Sequence, residues 1–139
     1  VEAGTYQFEP HTGEVRIRIE GFSLSDLFEE AGYALAELML GEERPETPPD
    51  AQEEHVTLEA SDTEALLVDW LNELISRADA RKQVYTDFTV DELSERKLHA
   101  RIRGFTPPVL KTAVKAATFH GLEIHEHEEC FIATVVLDV

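Results

Sequence analysis

The sequence predicts an α+β fold, with two long helices packed on a mixed, largely antiparallel sheet. Two segments carry apolar residues at three- and four-residue spacing behind capping residues, as amphipathic helices do. The other apolar runs alternate with polar residues at a period of two, as half-buried strands do. These strand-like runs cluster in pairs instead of alternating strictly with helices, which argues against a parallel βαβ chain. The predicted order is ββ-α-β-α-ββ-ββ, with about seven strands.

Tyr6 to Glu9 reads as a short strand, and the turn residues His11-Thr12-Gly13 follow it. Val15, Ile17 and Ile19 alternate with Glu14, Arg16, Arg18 and Glu20, which predicts a second strand ending at Gly21. Ser23 and Asp26 stand as an N-cap and a capping-box acid. Behind them Leu24, Leu27, Phe28, Ala31, Ala34, Leu35, Leu38 and Met39 form one stripe of a helix that Gly41 can terminate. The segment from Glu42 to Glu54 holds three prolines and six acids, and it reads as a mobile, solvated loop. Val56 to Glu59 follows as a strand. A capping run at Ser61-Asp62-Thr63-Glu64 then opens a helix over Ala65 to Ala80, with Leu66, Leu67, Trp70, Leu71, Leu74 and Ile75 as its core stripe. Tyr85, Phe88 and Val90 suggest a loose strand, and Leu98, Ala100, Ile102 and Gly104 a clearer one. Beyond the break at Thr106-Pro107-Pro108, two β-type runs, Val114 to Ile124 and Phe131 to Val139, read as an antiparallel hairpin joined by His125 to Glu129.

A length of 139 residues fits a single domain over 1–139. No apolar run approaches the roughly 20 residues that cross a bilayer, and Val1 to Glu9 lacks the pattern of a signal peptide. The single cysteine, Cys130, cannot form an intrachain disulfide, so a reducing, cytoplasmic setting is expected. Twelve Lys and Arg face 29 Asp and Glu, a net charge of -17. Such a surface repels phosphates and disfavours strong direct binding to nucleic acid. It fits either general solvation or steering toward a basic protein partner.

Sites for chemistry are few. There is no glycine-rich phosphate loop, no GxSxG elbow and no HExxH or Cys2His2 spacing. On the last strand Ile132, Thr134, Val136 and Asp138 share one face, so an acid ends an apolar strand. If the first hairpin and the last strand are neighbours, Glu14, Asp138 and the chain end at Val139 converge into a set of oxygen ligands suited to Ca²⁺ or Mg²⁺. Solvated strand-end acids are the other reading. His11 lies between Glu9 and Glu14, where it either caps the turn or has its tautomer set by a carboxylate. Lys115, Thr118 and His120 combine an amine, a hydroxyl and an imidazole, and an edge-strand solubilising lysine is the plainer account.

Four segments, in chain order, resemble the archease family. Phe8-Glu9-Pro10-His11-Thr12-Gly13-Glu14-Val15 resembles its acid-containing HTAD turn. Leu66-Leu67-Val68-Asp69-Trp70-Leu71-Asn72-Glu73-Leu74 is similar to its LLxxWLNELL helix, and Val114 through Ile124 to its VKAxTYHGLEV strand. Val135-Val136-Leu137-Asp138-Val139 matches its chain-ending V-I-F/L-D-I/L. The resemblance implies a non-catalytic accessory protein of the RtcB-type RNA ligase, which promotes the ligase's guanylylation and multiple turnover in tRNA splicing or RNA repair. It also implies a divalent metal, Ca²⁺ or Mg²⁺, held by Glu14, Asp138 and Val139, with His11, Thr12, Lys115, Thr118 and His120 as functional neighbours. The chain departs from the family pattern at three places: Glu14 replaces the family Asp, Pro10 occupies a position often acidic, and Ala113 replaces the acid before VKA. The extra methylene of Glu14 moves its carboxylate by about 1.5 Å. An acidic chaperone or adaptor with a different client is the alternative.

Overall fold

The computed structural model describes residues 4–11 and 13–139, with the backbone alone for Pro10 and His11. The elements are β1 (Gly4–His11), β2 (Glu14–Gly21), α1 (Leu24–Leu40), β3 (Glu54–Glu59), α2 (Thr63–Arg81), β4 (Val84–Leu93), β5 (Lys97–Phe105), β6 (Ala116–Thr118), β7 (Ile124–His127) and β8 (Cys130–Asp138). The α+β expectation holds, and every strand pairing is antiparallel. The strands divide between two sheets. One has the order β1-β2-β8-β6, with β7 also paired to β8; the other is β3-β5-β4.

Local chemistry sets the helix ends. Ser23 Oγ accepts the Asp26 N–H at 3.1 Å, and α1 stops at Gly41, whose left-handed backbone (φ 74) lets its N–H bond Glu37 O. Asp62 caps α2 by accepting the Ala65 N–H at 2.8 Å. Both helices are shared between the sheets: α1 packs on β1, β2 and β8 as well as β4, and α2 on β6 as well as β3 and β4. Trp70 and Phe28 meet in this core, and both are fully buried. Trp70 Nε1 donates to Phe28 O at 2.9 Å, which satisfies the indole's polar atom inside the core. Truncating so large a buried aromatic to alanine removes about 3–5 kcal/mol. Gly32 lets α1 approach β4 closely, since a Cβ there would meet the Phe88 ring at 2.9 Å.

Two expectations need correction. The segment after α1 is not simply a solvated loop. Arg44 reaches back to the fully buried Glu30, with Nη2 at 2.5 and 2.8 Å from its two oxygens. The same guanidinium lies 4.2 Å from the centre of the Tyr33 ring. Pro45 is buried, and Thr47 and Thr86 share a hydroxyl hydrogen bond of 2.6 Å. The acids and prolines around Arg44 masked the one cation that anchors the segment.

The C-terminal hairpin also differs in detail. The run from Val114 to Ile124 is not one strand. It forms two short pieces, β6 and β7, along the same edge of β8, separated by a turn in which Leu122 N–H bonds Phe119 O at 3.1 Å and Gly121 has φ 67. The joining turn is Glu128-Glu129, both at positive φ (50 and 66), so His125 and His127 lie on β7 and not in the connection. Two-residue turns of this hand usually carry Asn-Gly. Glutamates in both places hid the turn from a reading by residue type.

The edge strand β6 is held from outside by α2. Asn72 donates from Nδ2 to Ala117 O at 3.1 Å and accepts the Ala117 N–H at Oδ1 at 2.8 Å. One amide thus occupies both backbone groups that β6 turns away from β8. Replacing Asn72 with alanine leaves both unpaired, and we expect a stability loss of about 2 kcal/mol by chemical denaturation. Arg44→Ala leaves the Glu30 carboxyl buried without its cation, for an expected loss of about 3 kcal/mol. The double variant Glu30→Met/Arg44→Met should lose clearly less than Arg44→Ala alone. Equal losses in the two would show that the ion pair is not what anchors the segment.

Candidate functional site

The register of the five-stranded sheet brings the predicted acids together. Glu14 opens β2 and lies directly opposite Asp138 of β8. Residues paired in this way present their side chains on one face, with Cβ atoms roughly 4.5–5.5 Å apart. The same row continues outward on both sides, with His11 of β1 opposite Glu14 and Ala116 of β6 opposite Asp138. Alternation along the strands places this row on the face away from the helices, because Ile17, Ile19, Ala133, Val135 and Leu137 fill the core face.

Two backbone hydrogen bonds lock the chain end into the row. Val139 N–H bonds Gly13 O at 3.1 Å, which ties the last residue to the β1–β2 turn. Lys115 N–H bonds Asp138 O at 2.8 Å on the other side. Glu14, Asp138 and Val139 are all half-buried. Neither Glu14 nor Asp138 has a Lys, Arg or His ion-pair partner among the described residues. Two partly desolvated carboxylates side by side repel one another and favour a cation between them. Among the described residues no group of three or more His, Cys, Asp or Glu side chains surrounds a common point. The side-chain donors are therefore two carboxylates, and further oxygens would come from the neighbouring backbone and water. That donor set suits a hard cation, and it lacks the imidazoles and thiolates that favour zinc.

The other predicted residues divide. Lys115 adjoins the row through its backbone, while its side chain is exposed. Thr118 lies one row further along, opposite Val136, and its Oγ1 is 3.5 Å from Val136 O. His120 follows in the exposed turn between β6 and β7. Thr12 and the side chain of His11 lie outside the described residues. Arg16 was not singled out from the sequence. It occupies the second row, between Glu9 and Val136, and its Nε is buried without a hydrogen-bond partner. Its alternation with Glu14 and Arg18 was visible, but which side chains of β1 and β8 flank it was not.

Comparison with known proteins shows the family and the fold. The model of the Archease protein family (MTH1598/TM1083) matches residues 6–139. A protein archease from Pyrobaculum calidifontis is 32% identical over 146 aligned residues, covering 96% of this chain and 95% of that protein. The solution structure of Methanobacterium thermoautotrophicum protein 1598 superposes with a TM-score of 0.67 at 27% identity, covering 96% of this chain and 98% of the other. The crystal structure of an archease, possible chaperone, from Thermotoga maritima shares the fold with a TM-score of 0.68 at 23% identity, over 94% and 96% of the two chains. The match of the family model over residues 6–139 and the 32% identity along almost the whole of a curated relative show that the chain belongs to the Archease protein family.

Proposed function

We propose that this chain is an accessory protein that activates an RtcB-type RNA ligase, promoting the ligase's guanylylation and repeated turnover in tRNA splicing or RNA repair. The reading draws on family membership, and the observation that carries it is the pairing of Glu14 with Asp138 beside Val139. Glu14 and Asp138 would hold a divalent ion, Ca²⁺ or Mg²⁺, together with the α-carboxylate of Val139 where this is the native end. Such an ion neutralises the paired carboxylates and offers coordination positions to oxygens of a partner.

The chain contributes recognition more than reaction chemistry. Arg18, Arg44, Arg77, Arg101 and Arg103 each face an internal carboxylate, so little free cation is left to bind phosphates. The excess negative charge suits a basic protein surface and speeds association with it at low salt. A second reading, an acidic chaperone or adaptor with other clients, is favoured by the same charge and by the description of the Thermotoga maritima protein as a possible chaperone.

The test is a guanylylation assay with the cognate ligase, GTP and a divalent ion. The expected result is faster formation of the ligase–guanylate intermediate and more than one turnover, with no RNA joining by this chain alone. Glu14→Ala or Asp138→Asn should lower the stimulation by about tenfold or more, the loss of one good contact. Stimulation should also fall as ionic strength rises. No effect on the ligase, together with capture of many unrelated basic proteins, would favour the chaperone reading.

A further inference from the structure

We propose that His55 and His99 form a two-imidazole binding site for a divalent transition-metal ion of the zinc class, on the three-stranded sheet and separate from the carboxylate pair of the other sheet. In β3 the buried Val56 faces the core, so His55, Thr57 and Glu59 face solvent. In β5 Leu98, Ala100 and Ile102 are buried, which puts His99, Arg101 and Arg103 on the same outer face. Thr57 pairs with His99 and His55 with Arg101, so the two histidines are diagonal neighbours. Their Nδ1 (His55) and Nε2 (His99) atoms are 3.2 Å apart, and the rings are within 14° of parallel.

That spacing is the key observation. Zinc–nitrogen bonds of about 2.0–2.1 Å at a tetrahedral angle put two nitrogen ligands about 3.3 Å apart. The strands therefore already hold the two nitrogens at a chelating separation, and only ring rotation is needed to aim both lone pairs at one ion. Without metal the pair is an N–H···N hydrogen bond. Glu53 Oε2 lies 3.7 Å from His55 Nε2, which favours a proton on that nitrogen and leaves Nδ1 as the lone-pair atom. A carboxylate behind a ligating histidine is the usual second layer of a zinc site. His99 then donates from Nε2 when the site is empty, and it frees that nitrogen by carrying its proton on Nδ1 when a metal binds.

The surrounding charges favour a cation. Glu92 stands opposite His99 across β4 and β5. Arg101 binds both oxygens of Asp91 at 2.9 Å and Glu53 at 3.2 Å, so Asp91 is a fixed neighbouring charge and not a free ligand. The guanidinium holds the Asp91 carboxyl below its ordinary range. Three carboxylates against one guanidinium leave the site net negative. The two imidazoles are the protein donors, and water completes the coordination. Imidazole donors select zinc, nickel or copper over calcium and magnesium.

The experiment is titration of the full chain with zinc chloride, followed by calorimetry and by NMR of the imidazole resonances. One ion per chain should perturb His55 and His99 first, and excess calcium chloride should not displace it. His55→Gln or His99→Gln, with melting temperature and circular dichroism matching the parent, should weaken binding by at least about tenfold. His125→Gln/His127→Gln removes the other exposed pair, on β7, and should change the affinity by less than about twofold. Zinc binding that survives His55→Gln, that perturbs His125 and His127 first, or that calcium abolishes would overturn the proposal. So would the absence of zinc binding.

Discussion

Backbone hydrogen bonding along both edges of β8 sets where each residue of the larger sheet stands. On one edge β2 holds β8 from Glu14–Asp138 to Gly21–Phe131. On the other edge the two short pieces β6 and β7 bond to opposite ends of the same strand. Because side chains alternate with a period of two, a slip of one residue in this register would send Asp138 into the core and Leu137 to solvent. Burial of Ala133, Val135 and Leu137 therefore fixes the face on which Asp138 appears. The acid pair is a consequence of core packing one, three and five residues away.

The C-terminal end of β8 is held from both sides. Val139 is tied to the β1–β2 turn and Asp138 to the residue before β6. Asn72 then fixes β6 from α2, and α2 is anchored in turn by Trp70 beneath α1. A path of hydrogen bonds and packed aromatics thus runs from the centre of the core to the row of acids. Sites held by such supports keep two like charges close together, which an isolated hairpin would relieve by fraying.

Charge is distributed by the same economy of contacts. The chain carries 12 basic residues, and much of that charge is paired within the molecule: Arg44 with the buried Glu30, Arg77 and Arg81 with Glu54, Arg101 with Asp91 and Glu53. What remains at the surface is an excess of carboxylate. The acidity follows from how few cations are left over, and it makes a protein partner with a basic surface a better match than bare nucleic acid.

The sequence by itself determined the periodic features. The apolar stripes of α1 and α2, their capping residues, the alternation in β2, β5 and β8, and the family motifs were all legible, because each depends on spacing within a few residues. Only the tertiary structure decided the division into two sheets, the anchoring of the segment after α1 by Arg44, the turn at Glu128-Glu129 and the approach of His55 to His99. Each of these depends on a residue distant in the chain or on a backbone conformation that its residue types disguise. The meeting of Glu14 with Asp138 lies between the two cases. Strand phase and family resemblance pointed to it, but the sequence does not state which strands are neighbours, and it was the pairing of β2 with β8 that set the two carboxylates side by side.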